Sequence, residues 1–144
     1  MKRWVAAALM LMLLATGVAE EAARELSAYL GQDIEEAAKE IGALTLSTSD
    51  EFEVNYSDAG LSLHGNGGKV QFIELRNAAG ECAIKGVSTG MTREAVDARL
   101  SGLPELWRYD EEVAYSVEQD GGHAMFVIFY ENGTVSGAWY RADG

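Results

Sequence analysis

The segment Gly86-Val87-Ser88-Thr89-Gly90 carries the Gly-x-Ser-x-Gly spacing of a hydrolase nucleophile elbow, and it falls between a strand-like stretch and a helix start. In such an elbow the glycines permit a sharp turn that exposes the serine hydroxyl, and the helix starting right after the serine supplies N–H groups for an oxyanion. An orienting acid and a base follow in chain order, Asp110 or Asp120 and then His123. A small secreted serine hydrolase using Ser88 is therefore one reading of the chain. Two features weigh against it. The residue suited to cap the next helix is Thr92, four positions beyond the serine, and the chain is short for the usual multilayer hydrolase sheet. The balance leaves no catalytic residue, with Gly86 and Gly90 shaping the loop into that helix.

Metal chemistry finds no better footing. His64 and His123 are the two histidines, and neither belongs to a spacing typical of zinc. The first reads as a strand residue at the water edge, the second as a hairpin-turn residue. Asp50-Glu51 and Asp110-Glu111-Glu112 gather carboxylates, but the alternating oxygen ligands and central glycine of a calcium loop are missing. No metal and no cofactor is expected. Cys82 is the single cysteine, so no internal disulfide can form, and its strand-like surroundings suit a small buried thiol; an intermolecular disulfide is the alternative. Asn132-Gly133-Thr134 and Asn55-Tyr56-Ser57 match the acceptor pattern for N-linked sugars, although Asn132-Gly133 is already explained as a tight hairpin turn.

The elements that would position these residues repeat along the chain. Sliding the sequence by 59 residues sets Gly31-Gln32-Asp33-Ile34-Glu35-Glu36-Ala37 on Gly90-Met91-Thr92-Arg93-Glu94-Ala95-Val96, and Ile41 on Leu100. Each copy has a glycine, a capping side chain (Asp33 or Thr92) two residues later, and glutamate in the first helical turn, where it faces the positive helix end. A slide of 65 sets Gly68-Lys69-Val70 on Gly133-Thr134-Val135. Each unit reads as a short helix followed by three strands. The first comprises a helix over Asp33 to Ile41 and strands at Phe52 to Tyr56, Leu61 to His64 and Val70 to Arg76. The second comprises a helix over Arg93 to Leu100 and strands at Val113 to Val117, Met125 to Tyr130 and Val135 to Arg141. Cys82 to Val87 is a further strand, and Glu21 to Leu30 an additional helix. The predicted fold class is α+β: two helix-plus-antiparallel-strand repeats share one sheet, with helices mainly on one face. Residues 20–89 hold the N-terminal helix and first repeat and residues 90–144 the second, together one compact domain.

A helix that starts at Gly90-Met91-Thr92-Arg93-Glu94-Ala95-Val96, runs to Leu100 and ends at Gly102-Leu103-Pro104 resembles the signature of the outer-membrane assembly lipoproteins called SmpA/OmlA or BamE. Duplication of such a unit resembles the tandem architecture of the β-lactamase inhibitor protein (BLIP). The chain lacks the lipid-carrying cysteine of the lipoproteins and the disulfides of the inhibitor. What the resemblance implies is a noncatalytic envelope or secreted domain that works by binding protein.

Alternate strand residues point to opposite faces of a sheet, so the two copies can be compared face by face. Phe52, Val54, Tyr56, Leu61 and Leu63 belong to a core, with Val113, Tyr115, Val117, Phe126 and Ile128 matching members of it. The opposite face should be polar. Ser62, His64 and Glu74 obey that rule in the first copy, whereas Val127, Phe129 and Trp139 break it in the second. Val127, Phe129 and Trp139, with Phe72 beside them, are the candidate partner-binding residues. The alternative is that a terminal helix or loop covers them.

Export follows from the first residues. Lys2 and Arg3, the uncharged apolar run Trp4 to Leu14, and the small residues Gly17-Val18-Ala19 form the three-part layout of a secretory signal over 1–19, cleaved near Ala19. The apolar run is short for a membrane span, which needs about 20 residues, so no stable membrane anchor is expected after cleavage. The chain carries 23 acidic against 11 basic residues, a net charge of −12 that losing Lys2 and Arg3 makes still more negative. Nucleic-acid binding needs a basic stripe that is absent here. The expected product is a secreted or periplasmic protein-interaction module that binds a protein partner or itself; a structural envelope subunit is a further alternative.

Overall fold

The computed structural model describes residues 23–143 apart from 43, 51, 52, 59 and 77–80. The leader read over 1–19 lies outside the described residues, as does Phe52. In chain order the elements are β1 (Arg24–Glu25), a 3-10 turn (Ser27–Tyr29), α1 (Ile34–Ile41), β2 (Thr45–Ser49), β3 (Glu53–Ser57), β4 (Leu61–Asn66), β5 (Lys69–Arg76), β6 (Cys82–Ala83), α2 (Arg93–Arg99), β7 (Glu105–Arg108), β8 (Glu112–Gln119), β9 (Gly122–Glu131) and β10 (Thr134–Asp143). β2 to β5 and β7 to β10 form one eight-stranded antiparallel sheet in the order β2-β3-β4-β5-β10-β9-β8-β7, and β1 pairs with β6 in parallel.

The molecule is thus mainly β, which corrects the expected α+β fold of two helix-plus-strand repeats with helices covering one face. The capping signals act where they were read: the Asp33 carboxylate accepts from Glu36 N–H at 2.9 Å, and the Thr92 hydroxyl accepts from Ala95 N–H at 3.3 Å. The helices they start are only eight and seven residues long. Gly42, at φ 76°, stops the first, a conformation open to glycine. Helices this short are marginal alone and persist by burying Ile34, Ala37 and Val96. Period-two alternation governs most of the rest. Of the helix expected over Glu21 to Leu30, the first two residues lie outside the described residues and the rest holds β1 and the 3-10 turn instead; the strand expected over Cys82 to Val87 ends after two residues. β2 and β7 are strands that patterning missed: β2 is exposed throughout, so it shows no alternation, and β7 is broken by a bulge between Glu105 and Trp107.

β5 and β10 meet at the centre, pairing Leu75 with Ala138 and Phe72 with Arg141. A Cβ on Gly137 would lie 2.9 Å from the Leu75 carbonyl oxygen, so a side chain there would force the two strands apart. On one side of the sheet Leu63, Ile73, Leu75, Phe126, Ile128 and Tyr140 form a core with Leu26, Ile34, Val96 and Leu100. One polar network crosses its edge. Tyr140 Oη donates to Gln119 Oε1, and Gln119 Nε2 donates to the Ser27 carbonyl at 2.9 Å, fastening the N-terminal segment to the sheet. Asn132 and Gly133 take φ values of 53° and 80° and turn β9 into β10, as their hairpin signal implied.

The open sheet face as candidate functional site

Strand register places the residues that point away from the core. One row across the sheet pairs Ser62 with Glu74, Glu74 with Trp139, Trp139 with Val127, Val127 with Ala114 and Ala114 with Trp107. The next runs through Asn55, His64, Phe72, Arg141, Met125 and Ser116, and a third pairs Arg76 with Gly137, Gly137 with Phe129 and Phe129 with Glu112. All four residues singled out from the sequence therefore lie on the same face. Three of them form a continuous aromatic row: Phe72 and Trp139 have ring centroids 5.7 Å apart and Trp139 and Phe129 4.8 Å, both edge-on. Edge-on contacts set the positive rim of one ring against the negative face of the next, which holds the row in shape. Trp139 is 42% exposed, while Phe72 and Phe129 are half-buried. Val127 is 2% exposed, so it is floor beneath the row and offers a partner little surface.

Two members of this face went unread as site residues. His64 extends the row, its ring 5.0 Å from Phe72; its outward parity was legible, but a lone histidine gave no reason to group it with the aromatics. Trp107 sits on the same face, its Nε1 donating to Glu112 Oε2 at 3.4 Å, and was missed because β7 was not recognised. At the His64 end, His64 Nε2 and Asn55 Oδ1 are buried without a hydrogen-bond partner on neighbouring, register-paired residues. Arg76 is spoken for: it pairs with Glu74 and donates to Ser62 Oγ at 2.9 Å.

At the Phe129 end the face turns acidic. A groove of about 450 Å³ is lined there by Asp110, Glu111, Phe129, Tyr130, Glu131 and Ser136, among others. Arg93 is held close by, donating to the Tyr109 and Asp110 carbonyls at 2.9 and 2.7 Å and lying 4.9 Å from the Tyr130 ring centroid. Tyr130 belongs to the core, so this guanidinium sits on the helix side.

The Ser88 segment is built for packing. Its backbone N–H donates to Met91 Sδ at 3.3 Å, and α2 starts only at Arg93. The preceding loop is tied down by Glu25, whose carboxylate accepts from Lys85 N–H and Gly86 N–H, both at 2.8 Å. Gly86 leaves room for Arg99, whose guanidinium would stand 2.7 Å from a Cβ there and donates to the Gly86 carbonyl at 3.0 Å. Among the described residues no hydrogen bond links Ser88 with Asp110, Asp120 or His123. His123 is a strand residue of β9, opposite Glu118 and Asp143, and not in the hairpin turn where it was expected. Among the described residues no cluster of three or more histidine, cysteine or acidic side chains could hold a metal ion. The half-buried Cys82 thiol is pushed up by burial, with Asp58 and Glu81 adding to the shift against Arg24, so little reactive thiolate forms near neutral pH.

The fold and face together define an antiparallel β-sheet domain with its core on one side and an aromatic row on the other. Comparison of the chain with family models, curated proteins and solved structures returned no match.

Proposed function

We propose that the chain is an exported, noncatalytic protein-interaction module of the bacterial envelope or secreted fraction, and that it binds a protein partner through the open sheet face. The observation that carries this reading is the aromatic row Phe72, Trp139, Phe129, with Trp139 42% exposed at its centre. Large side chains pre-set by edge-on packing lose little freedom on binding, and tryptophan is prominent among residues that dominate interfaces. The basic-apolar-small pattern of residues 1–19 supports export, and the helix start at Gly90-Met91-Thr92 with Gly102-Leu103-Pro104 beyond it supports an envelope setting. Among the described residues no helix is long and apolar enough to cross a membrane.

Serine at Trp139 and Phe129 together is expected to weaken association with the partner captured from the cell's own envelope fraction by about 30-fold or more, the effect of losing about 2 kcal/mol at an interface centre. Circular dichroism and the melting temperature verify that the variant is folded. Full association by a folded double variant would sink the open-face reading. The hydrolase alternative has its own test. A serine-directed fluorophosphonate is expected to leave Ser88 unlabelled, and stoichiometric labelling that Ser88→Ala abolishes would establish an enzyme.

A further inference from the structure

The charge around the aromatic row says what kind of surface it accepts. By strand register the open face presents six carboxylates, those of Glu53, Glu74, Glu112, Glu118, Glu131 and Asp143, against three cations. One cation, Arg76, is engaged by Glu74; another, Lys69, lies in the β4–β5 hairpin away from the row's acidic end; the third, Arg141, is opposite Phe72, at the end of the row away from the groove. Two of these carboxylates, with two more from the adjoining turn, gather where the row ends. Glu112 stands directly opposite Phe129, Glu131 follows two residues along the same strand, and Asp110 and Glu111 occupy the turn before β8. The side chains of Asp110, Glu111 and Glu131 carry no hydrogen bond or ion pair to another described residue, and the nearby Arg93 is committed to carbonyls on the helix side.

We infer that the open face takes a basic polypeptide surface, one that lays an apolar or aromatic side chain on Phe72, Trp139 and Phe129 and a lysine or arginine in the groove beside Phe129. This deepens the open-face reading and rests on it. Apolar burial supplies most of the affinity, while the carboxylates draw the cation in and fix the register of docking. A second copy of the chain is the wrong occupant, because two faces with the same excess of carboxylates repel each other when stacked, and a polyphosphate is repelled likewise. The groove's cation partner has to be a side chain on an apolar support, since the adjoining surface it must cover is aromatic.

The test is selection of displayed random 12-residue peptides on the purified protein, followed by affinity measurement on the synthetic winners at about 50 mM and 500 mM salt, which differ roughly threefold in screening length. Selected peptides are expected to be net positive and to carry a lysine or arginine next to an aromatic or large aliphatic residue. Binding should fall about tenfold with salt, fall comparably at low salt in the triple variant Asp110→Asn, Glu111→Gln, Glu131→Gln, and nearly vanish in Trp139→Ser. The triple variant neutralises exposed groups that make no internal bond, so its melting temperature should stay close to the parent's. Neutral or acidic winners, or a triple variant that binds as well as the parent, would overturn the basic partner. If Trp139→Ser abolishes binding in that case, the open-face reading survives alone. Winners that still bind the Trp139→Ser, Phe129→Ser protein would remove both. A purified protein that is dimeric until Trp139→Ser dissociates it would assign the face to a second copy, which also overturns the basic partner.

Discussion

Replacing Phe126 with alanine is expected to destabilise the fold by about 3–5 kcal/mol, the usual cost of emptying a large aromatic site in a core. Phe126 is fully buried, lies in the middle of β9, and is opposite Tyr115 on one side and Tyr140 on the other. Its ring meets Tyr140 edge-on, with centroids 5.7 Å apart and planes at 87°. Neither tyrosine can follow the retreating side chain, because both belong to strands paired with β9, so the cavity stays open. Small domains have about 5–15 kcal/mol of total stability, and this single change would remove a large share of it. The matched control is Phe129→Ala three residues along the same strand, on the half-buried face, expected to cost about 1–2 kcal/mol. Urea unfolding of both variants decides the matter: if Phe129→Ala costs as much as Phe126→Ala, the sides of the sheet have been assigned the wrong way round.

That assignment is legible in the sequence. In Phe126, Val127, Ile128 and Phe129 all four residues are apolar, so the strand alone does not say which pair is inward. Matching them to Leu61, Ser62, Leu63 and His64 does, because the first copy alternates cleanly. The register then sets Phe126 against Tyr140 in the core and Val127 against Trp139 outside it. What patterning could not show was how far strand structure extends. Thr45-Leu46-Ser47-Thr48-Ser49 has no buried face to impose alternation and is held in the sheet by backbone pairing to β3, an interaction independent of side-chain identity. The helix expected over Glu21 to Leu30 failed for a tertiary reason: Arg24 and Leu26 give their N–H groups to the Glu81 and Ala83 carbonyls, at 2.9 and 2.8 Å, instead of to a helical turn. With four strands in each half and helices of two turns, the balance tips from α+β to mainly β. The acidic groove was legible only in part for a related reason: Asp110-Glu111-Glu112 stood out as a run of carboxylates, but Glu131 is distant in sequence and joins it only through the β8–β9 pairing.

Alkali should unfold the protein through its buried phenols. Tyr140 is pushed up to about 12, chiefly by burial and then by the carboxylates of Glu25 and Asp120, and Tyr130 is also pushed up to about 12 by burial, with Arg93 opposing. An unfolded tyrosine ionises near 10. The folded state therefore holds these protons more tightly than the unfolded chain does. Their contribution to stability is complete below pH 10, declines as pH rises above it, and is gone above about pH 12. At Tyr140 the loss is compounded, because the phenolate can no longer donate to Gln119 Oε1 and would face that oxygen as a second acceptor. Gln119 would then release the Ser27 carbonyl and with it the N-terminal segment. The absorbance of tyrosinate followed against pH is expected to show a steep late stage, from Tyr130 and Tyr140, coincident with loss of circular dichroism. Tyr140→Phe should lower stability at neutral pH by about 1–2 kcal/mol, the cost of stranding an acceptor, yet weaken the dependence on pH between 10 and 12. A variant whose stability falls with pH as steeply as the parent's would show that Tyr140 does not hold its proton for the fold.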